Sequence, residues 1–175
     1  GGREVHAATL SQALWPDETA RDPRKLFDNT LHRLRHMLGH DDAVLMRDAK
    51  LTLSLRCCWV DAWAFERLAG HGSSTALDAA EAMRLYRGHF LQREAETPWL
   101  LPYRDRLRSR FHRLAQSEGE RLESAARWDD AVRVYEAALE CDNLAESLYR
   151  RLMVCHQRRG EHAEVQRVYR RCREM

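Results

Sequence analysis

Glycine and proline are scarce in this chain, with eight and four among 175 residues. So few glycines leave little material for a phosphate-cradling loop, and neither a GxSxG elbow nor a metal signature is present. These absences point away from an enzyme and from a bound cofactor. The five cysteines (Cys57, Cys58, Cys141, Cys155, Cys172) are odd in number and lack CxxC spacing. They read as reduced thiols of a cytoplasmic protein, not as a disulfide framework. No apolar run approaches the roughly 20 residues that span a bilayer, and no secretory signal opens the chain, so no membrane partner is expected. Excess charge is missing too. A net charge of +2 does not imply nucleic acid, so any such case rests on where the charges sit.

What the chain does have is helical period. Charged residues at 32% and apolar residues at 44% suit one or two small, strongly helical domains. The clearest segment is DPRKLFDNTLHRLRHMLG, Asp22 to Gly39. Asp22 suits the N-cap, Pro23 the first turn and Gly39 the C-cap. Phe27, Leu31, Leu34 and Leu38 fall on one side as a core-facing stripe. The opposite side carries Lys25, Asn29, His32 and His36, with Arg33 at its flank. Those residue types hydrogen-bond phosphates and base edges.

The neighbouring segments give this helix a setting. Ala7–Leu14 reads as a short amphipathic helix with Leu10 and Leu14 buried, ended by Pro16 and followed by the loop PDETARD. After Gly39 the period changes: AVLM, the polar turn RDAK, then alternating Leu51, Leu53 and Leu55 predict a β-hairpin. A hairpin after a helix-turn-helix is the layout of a winged helix. From Val60 onward no strand signal is found. Helices are expected over Val60–Ala69, Ala76–Tyr86, Pro98–Ala125, Trp128–Glu140, Leu144–Arg159 and His162–Glu174, with GHGSS as a breaker and Gly119 weakening the long one. Tyr135 and Tyr169, Val134 and Val168, and Arg133 and Arg167 recur at an offset of 34, the tetratricopeptide period. Ala82 to Tyr86 has the same internal spacing and reads as a degenerate first unit. The opening Gly-Gly, and a helical period that persists to Met175, suggest a piece of a larger protein.

Several blocks resemble a known family. LSQALWPDE, the helix ending LHRLRHMLG, the hairpin and VDAWAFERL are similar to the second half of an OmpR-type winged helix, in the form found in Streptomyces antibiotic regulatory proteins. ALDAAEAMRLYRGHFL, PWLLPYRDRL and the repeat tail resemble the bacterial transcriptional activator domain that follows it. The most specific residues are Leu14-Trp15-Pro16, Leu34-Arg35, Leu38-Gly39, Leu85-Tyr86-Arg87-Gly88, Phe90-Leu91, Trp99 and Arg104. The sequence departs from that pattern in two places. The opening sheet and first helix of the winged helix have no counterpart before Arg3, and Asp48-Ala49-Lys50-Leu51 replaces the usual Gly and aromatic residue of the wing.

The resemblance implies a mainly α fold: residues 1–59 as the C-terminal part of a winged helix and 60–175 as a tetratricopeptide-like activator domain. It implies a transcription regulator reading promoter DNA through helix 22–39, with RNA polymerase and a second copy of the chain as further partners. Lys25 and Arg33 would contact phosphates, and Asn29 would read a base edge. His32 and His36 face the same way, Arg47 and Lys50 reach the backbone from the wing turn, and Arg35 pairs with an acidic residue to hold the helix. The alternative is a helical-repeat scaffold that never touches DNA.

Other patterns carry less. His32, His36 and His40 have metal-ligand spacing, but no carboxylate or thiolate completes the set nearby, so no metal is expected. Cys57 and Cys58 are expected as packed thiols at the end of the wing strand, because a vicinal disulfide is strained. Trp63, Trp99, Trp128, Tyr135 and Tyr169 lie at core-type positions, which favours packing over RNA stacking. The arginine-rich tail (Arg150, Arg151, Arg158, Arg159, Arg167, Arg170, Arg171, Arg173) is interspersed with Glu146, Glu161, Glu164 and Glu174. It reads as an ion-paired surface and is the second nucleic-acid candidate.

Overall fold

The computed structural model describes residues 4–16, 22–70, 75–94 and 97–175. The chain divides into two compact units, Gly1–Val60 and Asp61–Met175. Most of the PDETARD loop and of the GHGSS breaker lies outside the described residues.

In the first unit, strand β1 (Val5–His6) leads directly into helix α1 (Ala7–Leu14). Helix α2 (Pro23–Leu38) follows, then a 3-10 turn (Asp41–Ala43) and strands β2 (Val44–Arg47) and β3 (Lys50–Leu53). The predicted hairpin is present, with Met46 opposite Leu51 and Arg47 opposite Lys50. Its two-residue turn puts both Asp48 (φ 48°) and Ala49 (φ 58°) in the left-handed region, as tight hairpin turns require. β1 pairs antiparallel with β3, giving the order β1-β3-β2. A two-residue strand carries too little pattern to be read from sequence.

Phe27, Leu31, Val44 and Leu51 form the core of this unit, with Ala7, Leu10, Trp15 and Leu53 packed against it. Three expectations need correcting. Leu14 is exposed, because α1 ends there and Trp15 turns inward instead. Only half of the α2 stripe is buried: Phe27 and Leu31 meet the hairpin core, whereas Leu34 (42% exposed) and Leu38 (48%) do not. Leu55 is exposed because β3 stops at Leu53 and Ser54 turns the chain, accepting from the N–H groups of Cys57 and Cys58.

The regular elements of the second unit are all helices among its described residues: α3 (Asp61–Gly70), α4 (Ala76–Leu85), α5 (Leu101–Ser124), α6 (Trp128–Cys141), α7 (Glu146–Arg158) and α8 (His162–Arg173). α4 starts with a reciprocal capping box between Thr75 and Asp78. α5 begins at Leu101, later than Pro98, because residues 98–100 form a turn. It continues unbroken through Gly119, which the close approach of Tyr135 requires. Consecutive helices from α5 to α8 pack on one another, and α3 and α4 pack on α5.

The 34-residue offset is visible in the turn geometry. After α5, the N–H groups of Ala126 and Arg127 donate to the carbonyls of Glu123 and Leu122. After α7, those of Gly160 and Glu161 donate to Gln157 and His156, each 34 residues on. Both turns use a left-handed residue, Ala126 (φ 55°) and Gly160 (φ 75°). Tyr135 is fully buried as expected, but Tyr169 is half exposed. α6 packs extensively against both α5 and α7, whereas α8 packs extensively against α7 and reaches α6 through Arg171, which donates to the Leu139 carbonyl at 3.4 Å. Trp99 is also exposed (57%), since the turn before α5 points it outward, while Trp63 and Trp128 are half-buried.

Candidate nucleic-acid interface

α2 is set up by its own ends. The Asp22 carboxylate accepts from the Lys25 N–H at 3.0 Å, Pro23 occupies the first turn, and Gly39 closes the helix at φ 71°. All three follow from local rules, so the 16-residue helix needs no help from the core to start and stop. One side is held by Phe27 and Leu31. A further anchor is Arg35, whose Nε and Nη2 donate to the Val44 carbonyl at 3.0 and 2.7 Å. Arg35 was expected to pair with an acid. It instead takes the carbonyl at the start of β2 and ties the helix to the hairpin.

The outward side is polar and free. Lys25, Asn29, His32, Arg33 and His36 are all exposed, and none of their side chains has a hydrogen bond or ion pair among the described residues. They occupy about three turns, or roughly 16 Å of helix. Five groups able to donate are therefore presented without a competing partner. Met37 (83% exposed) lies beside them and went unnoticed in the sequence, as did Asp28.

The hairpin residues differ from each other. Arg47 is exposed and unpartnered among the described residues. Lys50 donates to Glu4 at 3.3 Å across β1 and β3, so its charge is partly answered inside the unit. His40 is not aligned with His32 and His36. It caps the 3-10 turn, accepting from the Asp42 N–H at 3.3 Å, and its ring lies 3.8 Å from the Cys57 thiol. Cys57 is exposed and not packed as expected, while the half-buried Cys58 donates to the Ala43 carbonyl at 3.5 Å. No group of three or more His, Cys, Asp or Glu among the described residues is arranged to hold a metal ion.

The arginine-rich tail is largely occupied. Arg150 pairs with Glu146, Arg151 with Glu123, Arg159 with Asp129 and Glu161, and Arg167 with Glu164. Arg171 and Arg173 lie over the rings of Tyr149 and Tyr169.

The second unit carries the deciding comparison. The family described as the bacterial transcriptional activator domain matches residues 60–175. The chain belongs to that family. No curated protein compared with the chain matches it. Membership in the bacterial transcriptional activator domain family makes transcriptional activation its general role, and the family is not a catalytic one. The family's helical repeat-like fold agrees with the stacked helices α5 to α8. No described helix is long and apolar enough to cross a membrane.

Proposed function

We propose that the chain is the DNA-reading and activating part of a cytoplasmic transcription activator. Residues 1–59 act as the C-terminal part of a winged helix, and α2 enters the major groove of promoter DNA. Lys25 and Arg33 hold phosphates, Asn29 reads a base edge, and His32 and His36 contribute donors along the same groove. Arg47 and Lys50 reach the neighbouring backbone from the hairpin. Residues 60–175, a tetratricopeptide-like stack, present a protein-binding surface to RNA polymerase or to a second copy of the chain.

The observation that carries this reading is the unpartnered donor face of α2. A helix set between a short helix and a hairpin, with its polar residues kept free of internal partners, suits groove insertion. The test is fluorescence anisotropy of the whole chain on labelled duplex DNA across a salt series. Arg33→Ala is expected to weaken binding on every sequence and to lower the salt slope by about one. Asn29→Ala is expected to relax base preference while leaving the slope in place. Absence of salt-sensitive duplex binding by the unaltered chain would sink the proposal and favour a scaffold that meets only proteins.

A further inference from the structure

Asp28 is an anomaly on the proposed reading helix, and it has no structural duty. It is exposed, and no hydrogen bond or ion pair involves its side chain among the described residues. Asp22, not Asp28, caps the helix. Asp28 is the sixth helical residue, beyond the first turn where a carboxylate gains from the helix dipole. His32 stands four residues on and Lys25 three residues back, but neither pairs with it.

Its position is nevertheless specific. It precedes Asn29 directly and lies one turn from Lys25 and His32, at the edge of the free face. It belongs to the N-terminal half of α2, the part of a recognition helix that contacts base edges. A carboxylate there is repelled by every phosphate it approaches. Ionised, it accepts hydrogen bonds and donates none. Two major-groove groups donate, the exocyclic amines of cytosine and adenine. Adenine's sits beside the acceptor N7, which repels a carboxylate, so the cytosine amine is the partner that suits it.

We infer that Asp28 is a specificity-determining residue that accepts from a cytosine amine and selects a C·G pair beside the one read by Asn29. The inference rests on the groove-reading role of α2. It gives the helix one acceptor among donors, so two adjacent side chains demand different bases. The carboxylate then lowers affinity for DNA in general and raises discrimination at one pair.

Selection of the whole chain on a pool of randomised duplexes tests this, with Asp28→Ala and Asp28→Asn selected in parallel. The unaltered chain is expected to enrich a motif with a fixed cytosine. Asp28→Ala is expected to lose roughly five- to 100-fold discrimination at that pair and no other, while binding unselected duplex more tightly. Asp28→Asn is expected to move the preference from cytosine towards adenine, which an amide can bind through two hydrogen bonds. An Asp28→Ala variant that binds all sequences more tightly yet keeps the same motif would overturn the assignment and leave only charge repulsion. Lack of any enriched motif for the unaltered chain would overturn the DNA reading of α2 together with it. Both substitutions are at an exposed, unpartnered site, so an unchanged melting curve checks that the fold is retained.

Discussion

Gly119 lies directly under the ring of Tyr135. A Cβ built on Gly119 would collide with Cζ, Cε1 and the hydroxyl oxygen of that tyrosine. Tyr135 cannot swing away, because it is fully buried and its hydroxyl donates to Glu123 at 2.6 Å. The same carboxylate receives Arg151 at 3.0 and 2.7 Å. One acidic side chain on α5 thus joins α6 and α7, and the missing Cβ of Gly119 lets α6 come close enough for it. Burial pushes the Tyr135 hydroxyl far above its ordinary range, and Glu123 adds to this, so it stays a donor at all physiological pH values.

Gly119→Ala is expected to destabilise the helical unit by about 1–2 kcal/mol. Overpacking costs about 1–3 kcal/mol, and the gain of roughly 1 kcal/mol in helix propensity offsets only part of a clash with a fixed ring. The midpoint of urea unfolding, followed by helical circular dichroism, is the measurement. A midpoint equal to that of the unaltered chain would show that Tyr135 can yield.

Ala126 and Gly160 hold equivalent left-handed turns, which sets up a matched pair of substitutions. Ala126→Gly is expected to raise stability by about 0.5–1 kcal/mol, since a left-handed alanine costs about 1–2 kcal/mol and glycine returns part of that as chain entropy. Gly160→Ala is expected to lower stability by a similar amount. No Cβ clash complicates it, for nothing lies within 4 Å of that position. Thermal melts of both variants check the opposed signs.

Asp142 is buried and receives Arg108, His112 at 2.7 Å and the Leu144 N–H at 3.2 Å. Burial alone would raise its pKa. The Arg108 and Leu144 hydrogen bonds and the charges of His112 and Arg108 outweigh it and hold the carboxyl below its usual range. A depressed folded value contributes stability above the unfolded carboxylate pKa of about 4, and that stability is lost as pH falls through the folded value. Asp142→Asn is therefore expected to cost about 3 kcal/mol near neutrality, from the broken pair. The gap to the unaltered chain should close as pH drops below about 4. Urea titrations at pH 7 and pH 3 measure it, and an equal gap at both would contradict the assignment.

Arg35 links α2 to β2, so its loss should act on position without touching base choice. Arg35→Met leaves the carbonyl of the buried Val44 without its two donors, at about 1–2 kcal/mol. Faster amide exchange in β2 and β3 is expected. On the DNA reading, duplex affinity falls while the selected motif is unchanged. Arg35→Lys restores little, because an ammonium cannot supply two fixed parallel donors. A changed motif would place Arg35 among the base-reading residues.

Much of this architecture is legible in the letters because its causes are local. Asp22, Pro23 and Gly39 set the ends of α2 through contacts within a few residues. Leu45, Met46, Leu51 and Leu53 announce the hairpin by changing the period from helical to alternating. Helices α5 to α8 follow from apolar spacing, and their 34-residue offset predicts stacking before any contact is seen. The exposed donor face of α2 is legible for the same reason: opposite sides of a helix are fixed by 3.6 residues per turn.

Burial and partner choice were decided elsewhere. Tyr135 and Tyr169 occupy the same repeat position, yet one is wholly enclosed and the other half open, because α6 is packed between α5 and α7 while α8 packs extensively against α7. Leu34 and Leu38 continue the stripe of Phe27 and Leu31, but the hairpin reaches only the first two. Arg35 found a carbonyl nine residues away where the letters suggested an acid, and Lys50 found Glu4 across 46 residues. The sequence alone determined that these helices form and in what order, where α2 starts and stops, and which side of α2 is free to bind. Tertiary structure decided which apolar residues are covered and which charges are spent internally. Those outcomes depend on segments distant in the chain, whose approach no local spacing encodes.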